Sequence, residues 1–333
     1  MVNIATNKSD SAGNRLTRFA FQTGRILLGI FLIWYLARSG MLDLNEVSII
    51  FENPSALVLA VIFLTVAILL NSLRWRMLLN GMGQRLDAMP AFAMLMVAGL
   101  VGTFLPGSVA AEAVRVGLAR LYGIDWSRCS ASILADRLIG LTVTVVVFVG
   151  LVVLLQGRQI STGFGGAVIH FLIAAALVVM GGYALNLIYR WLIRQQAKSA
   201  LSTSSTISFL LLFVGNFMDI LRKPRLSAFL VMVSIAIFLC NLSALLVLLM
   251  AITGLVPSFG AAAAAFSGAM LANVIPLTPG GIGVGEAAFG EIYQALSGVG
   301  AGATVALVMW RIARLISVLP GLIFILSAKL RVR

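Results

Sequence analysis

The chain has 333 residues, of which 61% are hydrophobic and only 11% charged, against roughly 45–50% and about 25% in soluble domains. That balance excludes a water-soluble enzyme and predicts an all-α polytopic membrane protein. The net charge of +13 does not point to nucleic acid, because the basic residues are spread as membrane-orientation signals rather than gathered in one patch.

Residues 1–20 are polar and basic and are expected to form a cytoplasmic N-terminal segment. An apolar run over 21–37 follows; Tyr35 and Leu36 ahead of Ala37 make a poor cleavage site, so the run reads as a retained first helix. Further runs of spanning length, about 20 residues, lie at 55–73, 130–155, 167–187, 228–251 and 302–327, giving about six spanning helices. Two apolar runs, 88–104 and 260–274, fall short of that length. Nineteen of the 24 Lys and Arg residues sit on one side of this arrangement, among them Arg74, Arg76, Arg85, Arg115, Arg120 and Arg128 between spans two and three. The positive-inside rule then places both termini in the cytoplasm. Cys129 and Cys240 stand at a loop edge and inside a span, which argues against a disulfide framework.

The second short run is the most informative stretch: AAAAAFSGAMLANVIPLTPGGIGVGEAAFGE, over 261–291. Small residues there allow close helix packing, and Pro276, Pro279, Gly280, Gly281 and Gly283 break the helix before Glu286 opens a second one. Backbone broken at membrane depth must be buried in protein or line a wet cavity, and a carboxyl there marks an ion, proton or substrate path. Two half-helices meeting in a re-entrant hairpin near the midplane are expected; a kinked spanning helix with a glycine hinge is the simpler alternative. The first half echoes the pattern in FLPGSVAAE, over 104–112. Pro106-Gly107 precedes Glu112 as Pro279-Gly280 precedes Glu286, and Arg137 and Arg311 each follow their Glu by 25 positions. Such matched spacing suggests a duplicated unit. The expected halves are 21–160, with a hairpin near 88–122, and 161–333, with a hairpin near 260–297. Three crossings per unit invert the second copy, the inverted-repeat architecture of many secondary transporters.

With LTPGGIGVGEAAF, FLPGSVAAE and ADRLIGL in view, nearly the whole chain resembles the lysylphosphatidylglycerol synthase transmembrane family, flippase-like membrane proteins of bacteria and archaea. The resemblance implies a multi-pass protein of the bacterial plasma (inner) membrane that moves an anionic or modified phospholipid between leaflets. The chain ends at Arg333 without the namesake's soluble aminoacyl-transferase domain, so it is not expected to aminoacylate a lipid itself. Ala110-Ala111 precede Glu112 where glycine is expected, and Asp136 precedes Arg137 where glutamate is commoner.

Arg311 and Arg314, three apart, share a helix face inside the last span, and arginine pairs bidentately with phosphate or carboxylate. Glu286, Arg311 and Arg314, with the amides near Gly280, Gly281 and Gly283 and a polar contact from Asn273, form the leading candidate for a head-group or coupling-ion site. Simple neutralisation of Glu286 and Glu291 by the arginines is the plainer reading. Glu112, Arg115, Asp136 and Arg137 are the counterpart in the first half, where local salt bridges within each pair are the plainer reading. His170 reads as interfacial, Met89, Met94 and Met96 as packing, and Trp34, Trp75, Trp126 and Trp191 as an aromatic belt, with Trp310 walling the site. The stretch 207–221 reads as an interfacial helix. No metal or cofactor motif is present, and no G-x-x-x-x-G-K-[ST] occurs, which argues against ATP-driven transport by this chain alone. A lipid translocator without catalysis leads. An integral-membrane enzyme, for which acid/base residues are few, and an accessory partner of a lipid-modifying enzyme are the alternatives.

Overall fold

The computed structural model of the protein describes residues 53–104, 110–156, 213–215, 223–274, 278, 281–300 and 302–326; the expected spans at 21–37 and 167–187, the segment 1–20, His170, Pro106, Gly107, Pro276, Pro279, Gly280 and most of 207–221 lie outside these residues. Among the described residues all regular structure is helical. In chain order the helices are α1 (Pro54–Gly81), α2 (Ala88–Phe104), α3 (Ala110–Leu121), α4 (Trp126–Gln156), α5 (Pro224–Thr253), α6 (Phe259–Ala272), α7 (Val284–Ser297), α8 (Ala303–Val318) and α9 (Gly321–Leu326).

Local sequence sets the ends. Pro54 and Pro224 open α1 and α5, where a fixed φ suits the first turn and the missing N–H is not needed. Gly254 closes α5 in the left-handed region, its N–H donating to the Met250 carbonyl at 3.0 Å. α1 runs eight residues past the expected apolar run, because Trp75, Leu78 and Leu79 keep one face of the helix fully buried.

Among the described residues four helical stretches are long and apolar enough to cross a membrane: α1, Trp126–Leu155 within α4, α5, and Ala303–Ile325, which takes in α8 and most of α9. They coincide with four of the expected spans. Val58, Leu59, Ile62 and Val66 of α1 and Val231, Met232, Ile235 and Leu239 of α5 form exposed apolar faces. Such contiguous surface has no use in water but matches hydrocarbon, as expected of an integral membrane protein. Ala88–Thr103 and Phe259–Ala272 are apolar but shorter.

α1 packs along α5 at the centre, and residues of α1, α5, α6, α7 and α8 share the largest buried core. Around this pair the contacts come in matched sets: α2 with α3 and α6 with α7; α3 with α4 and α7 with α8; α4 with α6 and α8 with α2. Likewise α1 touches α2, α4 and α8, while α5 touches α6, α8 and α4. Exchanging the first half for the second reproduces each of these pairings.

The small residues of α6 act as expected. Ala261, Ala262, Ala263, Ala264 and Ala265 are all buried, and a side chain at Gly268 would strike Ile292 of α7 and Phe148 of α4. In the first half Gly102 of α2 lies against Ala111 of α3 in the same fashion, with 2.6 Å between an added Cβ and that of Ala111. Close helix approach in the membrane rests on such pairs.

Candidate functional site

In the second half, α6 ends at Asn273 and the chain turns before α7. Gly281 and Gly283 have φ of +72° and +85°, a region that L side chains avoid. A Cβ at Gly281 would collide with the Asn273 amide, and one at Gly285 would meet both Asn273 and the Arg311 Nη2 at 2.7–3.0 Å. Into this tight turn Glu286 folds back: its Oε2 accepts from the Gly283 N–H at 2.8 Å. Arg311 of α8 meets it with Nε 2.5 Å from Oε1 and Nη2 donating to Oε2 at 3.3 Å, while Nη2 also donates to the Gly281 carbonyl at 3.0 Å. Glu286 is only 4% exposed and both of its oxygens are engaged. The pair is a clasp that holds the turn to α8.

The first half builds a wider network. Asp136 of α4 accepts from Arg74 Nε of α1 at 2.8 Å and from Arg115 Nη1 of α3 at 3.5 Å. Arg74 also donates to Ser234 Oγ of α5 at 2.8 Å and to Asn71 Oδ1 at 3.3 Å. Gly140 leaves room for its guanidinium, which lies 3.5 Å from where a Cβ would stand. Arg115 lies over the Trp75 ring at 4.3 Å, and Trp75 Nε1 donates to Ser132 Oγ at 3.0 Å. The Arg115 side chain is nine-tenths buried, yet its Nε and Nη2 have no hydrogen-bond partner. Glu112 pairs with Arg137, which is 53% exposed.

These groups surround a cavity of about 460 Å³. Arg74, Arg115, Arg137 and Arg314 line it together with Glu112 and Asp136, and Leu95, Leu141, Met270 and Val318 form part of its apolar wall. The wall draws on α1, α2, α3, α4, α6 and α8. Arg314 enters from α8, with its guanidinium 5.5 Å from the Trp310 ring centroid. It is exposed and has no carboxylate partner among the described residues.

The expected cluster of Glu286, Arg311 and Arg314 is therefore divided: Arg311 is committed to Glu286, and Arg314 turns to the first-half residues. Their separation along α8 puts them on adjoining faces rather than into one pocket. In the first half the ion pairs run between helices, Glu112 with Arg137 and Asp136 with Arg115, instead of within each local pair. Pro279 and Gly280 fall outside the described residues. Asn273 packs on Gly281 and Gly285, and its Oδ1 is buried without a partner. Trp310 donates to the Asn241 carbonyl at 3.2 Å and meets Phe266 edge-on, so it carries Arg314 rather than walling Glu286.

Arg74 and Trp75 are the site residues that sequence reading misses. Both follow the apolar run ending at 73 and read as a loop cation and a belt aromatic. The available signal is the polar pair Asn71-Ser72 followed by Arg74 at i+3 from Asn71, ahead of the apolar Met77-Leu78-Leu79. No group of three metal-ligating side chains occurs among the described residues.

No curated protein matches the sequence. The family model described as the lysylphosphatidylglycerol synthase TM region matches residues 22–321. With that match taking in both broken segments, both Glu–Arg pairs and the arginine-lined cavity, the chain belongs to the lysylphosphatidylglycerol synthase transmembrane family.

Proposed function

We propose that this protein translocates a polar lipid between membrane leaflets, its head group passing through the cavity between α1, α3, α4 and α8, with no catalytic step of its own. One observation carries the reading: among the described residues, four guanidinium groups and two carboxylates face one cavity inside an integral membrane protein. Charge of that kind is costly to keep in a bilayer and marks a transport path. Arginine is suited to phosphate, which it grips through two parallel N–H bonds.

The matched helix contacts support two duplicated halves packed about α1 and α5. The short pairs α2–α3 and α6–α7 suit re-entrant hairpins, and the odd number of crossings expected in each half makes the second an inverted copy. In that architecture substrate binds where the halves meet, and rocking of one against the other alternates its exposure. Arg137 and Arg314 come from opposite halves and face the same space. Glu112 competes with the head group for Arg137 and so limits how long it is held. The Glu286–Arg311 clasp keeps the second-half turn rigid while this happens. The basic bias of the sequence places both termini in the cytoplasm, in a bacterial plasma membrane.

The test is leaflet exchange of labelled phospholipids in proteoliposomes. Wild-type exchange is expected, with loss in Arg314→Gln and Arg137→Ala proteins that insert and fold normally. Folded wild-type protein that exchanges none of a panel of anionic, zwitterionic and aminoacylated lipids refutes translocation. That outcome moves the protein to the lipid-modification side of its family, as a partner of a lipid-modifying enzyme.

A further inference from the structure

We infer that the head group taken by this cavity is a dianionic phosphate, a phosphomonoester or diphosphate, rather than a phosphodiester or an amine-bearing head group. The inference rests on the cavity being the binding site proposed above, and it comes from the charge balance there. Arg74, Arg115, Arg137 and Arg314 face Glu112 and Asp136, which leaves two positive charges in excess among the described residues. Asp136 is shared between Arg74 and Arg115, and Glu112 is paired with Arg137. The excess therefore resides on Arg314, which has no carboxylate, and on the Arg74–Arg115 pair, which shares one.

Arg115 is buried and shares its one carboxylate with Arg74, while Arg314 is exposed; charge complementarity favours the ligand that cancels the excess. A zwitterionic head group brings no net charge and sets an ammonium among arginines. A phosphodiester brings one negative charge and leaves one cation uncompensated. A phosphomonoester carries about −1.5 to −2 at neutral pH and presents three strong acceptor oxygens. Arg115 lines the cavity with Nε and Nη2 unpartnered and packed away from solvent, so that a shift of its side chain off Trp75 presents them, and the exposed Arg314 guanidinium lines the same space. Two arginines from different helices then bind one phosphate, each through charge-assisted bonds. The same chemistry is offered by a lipid-borne monoester and by a small soluble one, and the experiment separates them.

The full chain in detergent micelles is titrated with phosphatidic acid and with phosphatidylglycerol of identical acyl chains, and in parallel with glycerol 3-phosphate, binding being read by thermophoresis. Phosphatidic acid is expected to bind about tenfold or more tightly than phosphatidylglycerol. Binding of phosphatidic acid without measurable binding of glycerol 3-phosphate assigns the site to a lipid-borne monoester; comparable binding of both assigns it to the phosphate alone. Arg314→Gln is expected to remove most of the preference, whereas Glu112→Gln, which adds to the positive excess, is expected to widen it. Opposite signs from two cavity-facing substitutions are not produced by general loss of structure. Phosphatidylglycerol binding as tightly as phosphatidic acid overturns the inference, as does an unchanged preference in both variants. Because binding is read without transport, absent leaflet exchange refutes translocation while leaving this inference to stand or fall on its own result.

Discussion

In the second half Glu286 is nearly sealed from solvent and spends both oxygens on Arg311 and the Gly283 N–H; in the first half Glu112 sits beside a half-exposed Arg137 at the edge of a cavity. The two pairs share one separation in the chain and one placement, from the first turn of α3 or α7 to the following long helix. Their neighbours differ. Three residues beyond Glu112 stands Arg115, and three beyond Glu286 stands Phe289; before Arg137 stands Asp136, and before Arg311 stands Trp310. The polar pair meets Arg74 and opens a charged space, whereas Phe289 and Trp310 belong to the buried apolar core. Similar placements of a Glu–Arg pair are thus surrounded by charge in one region and by aromatic packing in the other, and the charged residues line a cavity of about 460 Å³.

Substitutions that act on one half sharpen this contrast. The largest effect is expected at Asp136→Ala, which leaves Arg74 and Arg115 buried without a carboxylate and costs about 3–5 kcal/mol; unfolding in mixed detergent micelles reads it. A loss below that of an exposed pair breaks the claim that Asp136 is the centre of the first-half network. Glu286→Gln comes next. It keeps the shape but removes the charge facing Arg311 and weakens the acceptor for Gly283, at about 2–3 kcal/mol. Gly281→Ala forces a side chain into a left-handed backbone and against Asn273, for about 1–2 kcal/mol by the same assay. The smallest stability effect belongs to Glu112→Gln, less than about 1 kcal/mol, because its partner is half exposed and remains solvated. Equal losses from Glu286→Gln and Glu112→Gln would erase the difference between clasp and cavity.

Much of this was legible in the sequence, and the rest was hidden for identifiable reasons. The paired Glu and Arg at 25 positions, the small-residue helix over 261–272 and the four described spans follow from periodicity and composition alone, since helix packing in a membrane leaves a direct compositional trace. The partner of each charge was harder to find. Arg74 looked like an orientation signal because the apolar run stops at 73, yet three buried residues beyond it carry the helix to Gly81. Arg311 and Arg314 looked like one site because a spacing of three suggests a common face. A turn held by Gly281 and Gly283 captures the first and leaves the second to the cavity, and that choice depends on tertiary placement. Trp75 shows the same limit: an aromatic near a span end reads as a belt residue until Arg115 is found stacked on it.

The bond from Arg74 to Asp136 spans 62 positions and the bond to Ser234 spans 160, and this has a consequence for biogenesis. During synthesis α1 leaves the ribosome well before α4 exists, so Arg74 must meet the translocon without its carboxylate. An arginine costs about 2.5–3.5 kcal/mol on insertion scales at the centre of a membrane helix, and less at the place of Arg74 in the last third of α1. The C-terminal third of α1 is therefore expected to wait at the water interface and to sink only when α4 arrives. With Arg74 kept, nascent chains halted after α3 should leave a Met77→Cys thiol open to a water-soluble reagent, and chains halted after α5 should protect it. Equal protection at both lengths would mean that α1 enters the bilayer with its charge unaccompanied.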